Sequence, residues 1–312
     1  MATKLKSHGE YTVGWICALP KEQAAATAML DQIHPDLGKP SNDKNTYTFG
    51  SIGDHDVVIA CLPKGHTGTN PAATVAVQMV NTFPAIKVGL MVGIGGGIPP
   101  KIRLGDVVVS TPVGQYPGVV QWDFGKEKDG EFERTGALNN PPGALGTAAA
   151  KLEARHEMSE SKISQYLDDV ARRWPKMAPR YTSSDTLKDP MSAEGGGEDQ
   201  REHRETRIHY GLIASGNRVI KDRELRDSIN KHLGGHVLCI EMEAAGLMND
   251  FPCIIIRGIC DYADSQKNDD WQEYAAAVAA GYAKELLSCI PPAEIREERS
   301  VRDLIGNSTS GT

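Results

Sequence analysis

Short apolar runs rich in β-branched residues alternate, along nearly the whole chain, with stretches of helical periodicity. That alternation leaves few folds open. Residues 11–17 (YTVGWIC) read as a strand and residues 21–30 (KEQAAATAML) as a helix. Two further runs, 47–52 and 57–62, flank the turn GDHD. Asn70 and Pro71 read as the cap and first residue of a helix, with Ala72, Ala76, Met79, Val80 and Phe83 along one face. Strands follow at 88–93 and 107–111, a helix at 144–158, and strands at 211–215, 237–240 and 253–259. Helices are expected at 221–233, from Glu243, and at 271–290. This order predicts a single α/β domain over residues 11–291, its central, largely parallel sheet covered by helices. Residues 1–10 and 292–312 read as flexible ends, and the polar segment at about 180–207 as a solvated insertion.

Charge and composition exclude several classes. A net charge of −7 argues against a nucleic-acid partner, which a basic face would mark. No apolar run reaches the ~18 residues of a membrane span, and the N-terminus lacks the apolar core of a signal peptide. Cys17, Cys61, Cys239 and Cys253 sit in strand-like runs and read as reduced core residues of a cytoplasmic protein. His232 and His236 are separated by Gly234-Gly235, so they do not form a helical metal pair, and no metal or cofactor is expected.

The segment LMVGIGGGIPP, residues 90–100, ends an apolar run in Gly93, Gly95, Gly96 and Gly97. Glycine loops after strands often hold phosphate on bare backbone N–H groups. Here the dinucleotide fingerprint fails, because Ile98 stands at its third glycine and Pro99-Pro100 follow. The Gly-Lys-Ser/Thr of an ATP loop is also absent. The glycines are expected to form a loop at a strand end.

Ligands of open α/β sheets bind beyond the carboxyl ends of the strands. Acids stand just past three predicted strands: Glu22, then Glu241 and Glu243, then Asp261 and Asp264. Singly, each is explained as a first-turn acid or a helix cap. Converging on one sheet edge, they point to an acid–base site.

The motifs ALPKE, VGIGGG, LGDVVVS, GLIASGN, EMEAAG and RGICDYAD, in that order, resemble the nucleoside phosphorylase/nucleosidase superfamily of the purine phosphorylase and methylthioadenosine nucleosidase type. The likeness runs over residues 11–291 outside the polar insertion. It is closest to fungal members found as N-terminal domains of signalling ATPase or ankyrin proteins. It implies a mixed central β-sheet flanked by helices. It also implies that Glu243 holds the ribose 2′- and 3′-hydroxyls while Met242 packs on the sugar. By the same resemblance, Asp261 would meet purine N7, Glu22 would activate water, and Val219 and Ile220 would line the base. Gly95 and Ile94 lie on the nucleophile side. His66, in KGHTGTNPAA, matches a loop that contacts sugar or nucleophile, although a solvated histidine fits the same loop. Trp122 and Phe124 either stack on a base or pack in the core. Three positions depart from the nucleosidase pattern: Val219 replaces Phe, and Ile94 and Cys260 each replace Ser.

Cleaving an N-glycosidic bond develops positive charge on the sugar and negative charge on the departing base. One carboxylate orienting water and one protonated acid at N7 divide that work as in glycoside hydrolases. Asp261 needs burial or a neighbouring charge to stay protonated near neutrality, and Asp264 is a candidate to help. Phosphorylases of the family place Arg and Ser where this chain has Met91 and Ile94. Phosphate in an apolar lining would be left without charge-assisted donors. The expected activity is therefore a purine nucleosidase acting on adenosine, inosine or guanosine, in a homo-oligomer. The alternatives are a phosphate-dependent phosphorylase using Lys21, Arg103 or a neighbouring subunit's base, and a nucleoside-sensing domain without turnover.

Overall fold

Strands β1 (Val13–Cys17), β5 (Val88–Gly97) and β12 (Cys253–Asp261) lie side by side, and nearly every residue in them is buried. Both faces are covered, which is why these strands read as unbroken apolar runs. The computed structural model describes residues 6–182, 187–191, 206–267 and 269–308. Its main sheet also contains β2 (Gln32–Ile33), β3 (Tyr47–Ile52), β4 (His55–Cys61), β6 (Val107–Ser110), β7 (Val119–Gln121), β10 (Ile208–Ser215) and β11 (Val237–Glu241). The order is β11-β10-β6-β12-β5-β1-β4-β3-β2, with β7 alongside β10. Pairs β1–β4, β1–β5, β5–β12, β6–β10 and β10–β11 are parallel, whereas β3–β4 and β6–β12 are antiparallel, so the sheet is mixed. Strand β11 also pairs antiparallel with the end of β5, at Gly96 and Gly97, and so curls the sheet back on itself.

That pairing overturns the expected glycine loop: the VGIGGG segment is strand to Gly97. Its glycines answer close approach, not a turn. A Cβ at Gly93 would collide with Glu22 Oε1, one at Gly95 with Cys239 Sγ, and one at Gly96 would lie 2.9 Å from Asp261 Oδ1. Period-2 patterning cannot register a strand whose side chains have been removed to admit neighbours.

Helix α1 (Pro20–Met29) follows β1 as expected. Helix α2 (Thr69–Thr82) starts before Asn70, so Asn70 is not its cap; Gly68, at φ 101°, is. The first amide is satisfied from elsewhere: Asn217 Oδ1 accepts from Thr69 N–H at 3.0 Å and from its hydroxyl at 2.9 Å. The helix expected from Glu243 is only a 3₁₀ turn, Ala244–Gly246. Gly246 there abuts the Thr69 carbonyl so closely that a Cβ has no room. Sequence patterning missed the hairpin β8 (Gly125–Lys128) and β9 (Glu131–Arg134), and it missed α4 (Ile163–Arg173), which follows α3 (Gly143–His156).

Of the polar insertion, residues 183–186 and 192–205 lie outside the described residues. Its start forms α5 (Ala178–Tyr181), and Asp189 accepts from Tyr262 and Arg103. Helix α6 (Arg223–His232) precedes β11. The Ala-rich α7 (Gln272–Leu287) lies flat on β12, where a Cβ at Gly258 would fall onto the Ala275 carbonyl. The expected flexible ends are in part ordered. Residues His8–Glu10 make a 3₁₀ turn, and α8 (Pro292–Glu297) and α9 (Val301–Ser308) form where a frayed tail was read. Ile295 and Val301 are fully buried there, and Val301 N–H donates to the Ile86 carbonyl at 2.8 Å. Two apolar anchors among many charges were too sparse to read as a helix face. All six cysteines are free. Among the described residues no helix is long and apolar enough to cross a membrane.

Candidate active site

The strand-end acids converge because β1, β5 and β12 run parallel and end together, while β11 closes against the end of β5. Glu22 lies in the first turn of α1, and its carboxylate folds back onto the helix start. Oε2 accepts from Ala18 N–H at 2.7 Å and Leu19 N–H at 2.9 Å; Oε1 accepts from Ile94 N–H at 2.8 Å. A carboxylate has about four lone-pair sites, so one on Oε1 is left over. Burial pushes the Glu22 pKa up; Arg257 and the three amides oppose it without cancelling it.

Arg257, on β12, is fully buried and was not singled out from the sequence. Its Nη2 pairs with Glu241 and lies 3.5 Å from Glu243 Oε2, and its Nη1 is 3.5 Å from the Ile94 carbonyl. Burial acts against its charge, but Glu241, Glu243 and Glu22 together hold its pKa above the usual value. The signal available was an arginine inside the apolar run CIIIRGICD: a buried charge needs partners, and the strand-end acids supply them. Glu241 is Arg257's anchor, and it also accepts from the N–H groups of Glu243 and Ala244 at 3.0 Å each. Glu243 accepts from Gly68 N–H at 3.1 Å. Burial, then Glu241 and Glu22, push its pKa up to about 7 against the pull of Arg257.

Asp261 lies at the other end of the cavity, 4% exposed. Its Oδ1 accepts from Ala263 N–H at 2.8 Å, and its Oδ2 from the Cys260 thiol at 3.1 Å and from the Lys267 ammonium. Lys267 too was missed, since a lysine in a polar turn reads as solvated. Burial disfavours its charge, yet Asp261 and Cys260 hold its pKa above the usual lysine value.

Glu22, Glu243, Asp261, Met242, Ile94, Gly95, Val219 and Ile220 all line one cavity of about 160 Å³. His66 does not line it; its neighbour Thr67 does, and His66 sits exposed in its loop. Asp264 faces away, 3.8 Å from Arg226 and bordering a different cavity. Phe124 is exposed, and Trp122 stacks beneath Arg218, 5.5 Å from its ring centre; neither lines the acid cavity. The candidate phosphate cations are engaged elsewhere: Lys21 with Glu273 at 3.2 Å and Arg103 with Asp189 at 3.0 Å. A cavity of about 870 Å³ opens between the β8–β9 hairpin and α6, but it lacks the converging acids. Chemistry, not size, marks the site. Among the described residues no His, Cys, Asp and Glu cluster is arranged to hold a metal.

Residues 12–288 match the family model described as Phosphorylase superfamily. A nucleotide-binding leucine-rich repeat (NLR)-like protein of Hyaloscypha variabilis is 49% identical over 94% of this chain, which spans 30% of that protein's length. A 5′-methylthioadenosine/S-adenosylhomocysteine nucleosidase of Mycobacterium bovis is 27% identical, covering 90% of this chain and 97% of its own. Among solved structures, the 5′-methylthioadenosine/S-adenosylhomocysteine nucleosidase of Neisseria meningitidis, in complex with methylthio-immucillin-A, superposes with a TM-score of 0.60. It covers 89% of this chain and 99% of its own at 22% identity, a likeness of fold. Nucleosidases, enzymes that hydrolyse N-glycosidic bonds, recur among these relatives and neighbours.

Proposed function

The chain belongs to the phosphorylase superfamily, and from that premise we propose that it is a purine nucleosidase, hydrolysing a purine ribonucleoside (adenosine, inosine or guanosine) to free base and ribose. The observation that carries this reading is the occupancy of the nucleophile end. The amides of Ala18, Leu19 and Ile94, which an incoming anion would need, already hold Glu22. The guanidinium behind Glu22, Arg257, is claimed by Glu241 and Glu243, while Arg218 lines the cavity beside Val219, over the Trp122 ring. Met91 is fully buried and apolar. A phosphate against Glu22 would meet carboxylates whose nearest guanidinium, Arg257, is already paired, whereas water needs only an acceptor.

The reaction follows from the two ends. The apolar walls of Val219, Ile220, Ile240 and Ala263 suit a flat base beside Asp261. Glu243 accepts from the ribose hydroxyls and fixes the sugar over Glu22. The free lone pair of Glu22 Oε1 orients water toward C1′ and takes its proton as the C1′–N9 bond breaks. Burial has raised the pKa of Glu22, so its carboxylate takes a proton more readily than an exposed glutamate does. The electron pair leaves with the purine, which takes up a proton at N7 through Asp261. His66 belongs to the reading only if its loop closes on the sugar. Val219 is 56% exposed at the mouth, and the expected homo-oligomer would close that wall with a second copy.

Incubating the protein with adenosine, inosine and guanosine, with and without phosphate, tests the proposal. The expected result is equal rates in both conditions, with ribose and base as products. Turnover that requires phosphate would overturn it, and tight nucleoside binding without turnover would favour a sensing domain.

A further inference from the structure

A residue with a Cβ is strained at positive φ and holds that conformation where its surroundings impose it. Among the described residues two non-glycines adopt it: Asp129, in the turn of the exposed β8–β9 hairpin, and Ala263, at φ 52°. Ala263 stands two residues past Asp261, and its N–H donates to Asp261 Oδ1 at 2.8 Å. The left-handed turn therefore sets where that carboxylate points. Asp264 continues the turn: its Oδ1 accepts from Gln266 N–H at 3.0 Å and its carbonyl from Lys267 N–H at 3.1 Å, which brings Lys267 back onto Asp261. The turn is gripped through Tyr262. Its carbonyl accepts from Arg226 Nη1 at 2.8 Å, and Arg226, on α6, is buried. Its hydroxyl accepts from Leu104 N–H at 3.3 Å and donates to Asp189, whose two oxygens lie 2.9 Å and 3.1 Å away. Burial and the Asp189 carboxylate push the Tyr262 pKa up, so the hydroxyl keeps its proton.

Asp189 belongs to the polar insertion, and residues 187–191 around it are tied down on both sides of the turn. Arg103 Nε donates to Asp189 Oδ2 at 3.0 Å, and Met191 N–H to Oδ1 at 3.1 Å. The Trp271 indole N–H donates to the Lys188 carbonyl at 3.2 Å. Accepting the nucleosidase reading, we infer that Asp189 is a positioning residue for the reaction: through the Tyr262 hydroxyl it holds the turn after β12 in its strained form, and so makes this stretch of the insertion a brace for the active site. Asp189 does not line the acid cavity, so it acts through Tyr262 and Ala263. Without it the Tyr262 hydroxyl loses its anionic acceptor, and the ring borders a cavity of about 270 Å³, shared with Pro190 and Met191, into which it has room to shift. Ala263 then relaxes toward negative φ, and its N–H turns away from Asp261 Oδ1. Misplacing a reacting group by about 1 Å costs up to about 10²-fold in rate. Glu22 and Glu243 are held by other elements, so the sugar is still bound.

The test measures kcat and KM, well below each Tm, on whichever of adenosine, inosine and guanosine the wild type cleaves fastest. The variants are Asp189→Ala, Tyr262→Phe and their double, each made again in an Ala263→Gly background, where positive φ carries no strain. Tyr262→Phe leaves Asp189 with Arg103, so it still answers where Asp189→Ala folds poorly. Each single substitution should lower kcat about 10–10²-fold with KM changed by less than about threefold. The double should fall no more than about threefold below the worse single, because both cut the same link. In the Ala263→Gly background the same substitutions should cost less than about threefold relative to Ala263→Gly alone, because nothing strained is left to hold. A brace serving stability alone would lower Tm and leave kcat in place. A kcat in Tyr262→Phe within about twofold of wild type, or an undiminished loss in the Ala263→Gly background, would overturn the inference and leave the nucleosidase reading intact. A wild-type protein that cleaves none of the nucleosides, with or without phosphate, would overturn both.

Discussion

At the Glu22 end of the cavity three carboxylates share one guanidinium, Arg257; at the Asp261 end the Lys267 ammonium is paired with a single carboxylate, with Asp269 acting on it more weakly. Both ends are buried in the same fold, yet the arithmetic of charge differs. Where negative charge exceeds positive, burial raises carboxyl pKa values: that of Glu22 goes up, and that of Glu243 goes up to about 7, so both take a proton more readily than an exposed glutamate. Where an ammonium matches the acid, the same depth holds an ion pair. Hydrolysis needs both: a proton acceptor for water on one face of the sugar and a proton donor for the base on the other.

The most severe way to break the comparison is to remove the acceptor. Glu22→Gln keeps the shape but cannot take water's proton. We expect kcat to fall about 10³-fold, within the range for general-base loss, with nucleoside affinity kept. Steady-state kinetics beside equilibrium binding measure it, and a loss confined to KM would contradict the assignment. Next in size is Arg257→Met, which leaves Glu241, Glu243 and Glu22 without their shared cation. Stripping one partner from a buried ion pair costs about 3–5 kcal/mol, so denaturant unfolding should show a loss of that order. A change under about 1 kcal/mol would mean that the acids are held by their amides alone.

These two residues also mark how far the sequence carries. The alternation of strands and helices predicts the α/β domain, and acids past three strands predict which edge is functional. Glu22, Glu243 and Asp261 could be located that way because strand ends are legible from apolar runs. Arg257 was hidden in such a run, since a charge inside a strand has meaning only once its partners are known in space. Lys267 looks like any solvated lysine until the turn after β12 folds it onto Asp261. The glycines of β5 misled for a related reason. They answer the side chains of Glu22, Cys239 and Asp261, which come from three other elements. The cap of α2 was missed likewise, because Asn217 lies 148 residues away.

A smaller effect sharpens the comparison through pH. The folded pKa of Glu243, about 7, lies above the 4.5 of a free glutamate. Its proton is therefore bound more tightly in the folded state. The stability it contributes is full below about pH 4.5, declines as pH rises, and is gone above pH 7. Glu243→Gln removes that dependence. Relative to the wild type it should gain about 1–3 kcal/mol across this window, at roughly 1.4 kcal/mol per pKa unit, while losing affinity for ribose. Thermal unfolding of both proteins from pH 4 to pH 8 follows the gain. Parallel curves would place the excess negative charge elsewhere.

The central claim is that the Glu22 end serves water and refuses phosphate. It is tested most directly by following adenosine cleavage in saturating phosphate by phosphorus NMR. The account predicts accumulating adenine and ribose with the inorganic phosphate signal unchanged. The appearance of ribose 1-phosphate in step with adenine would contradict it.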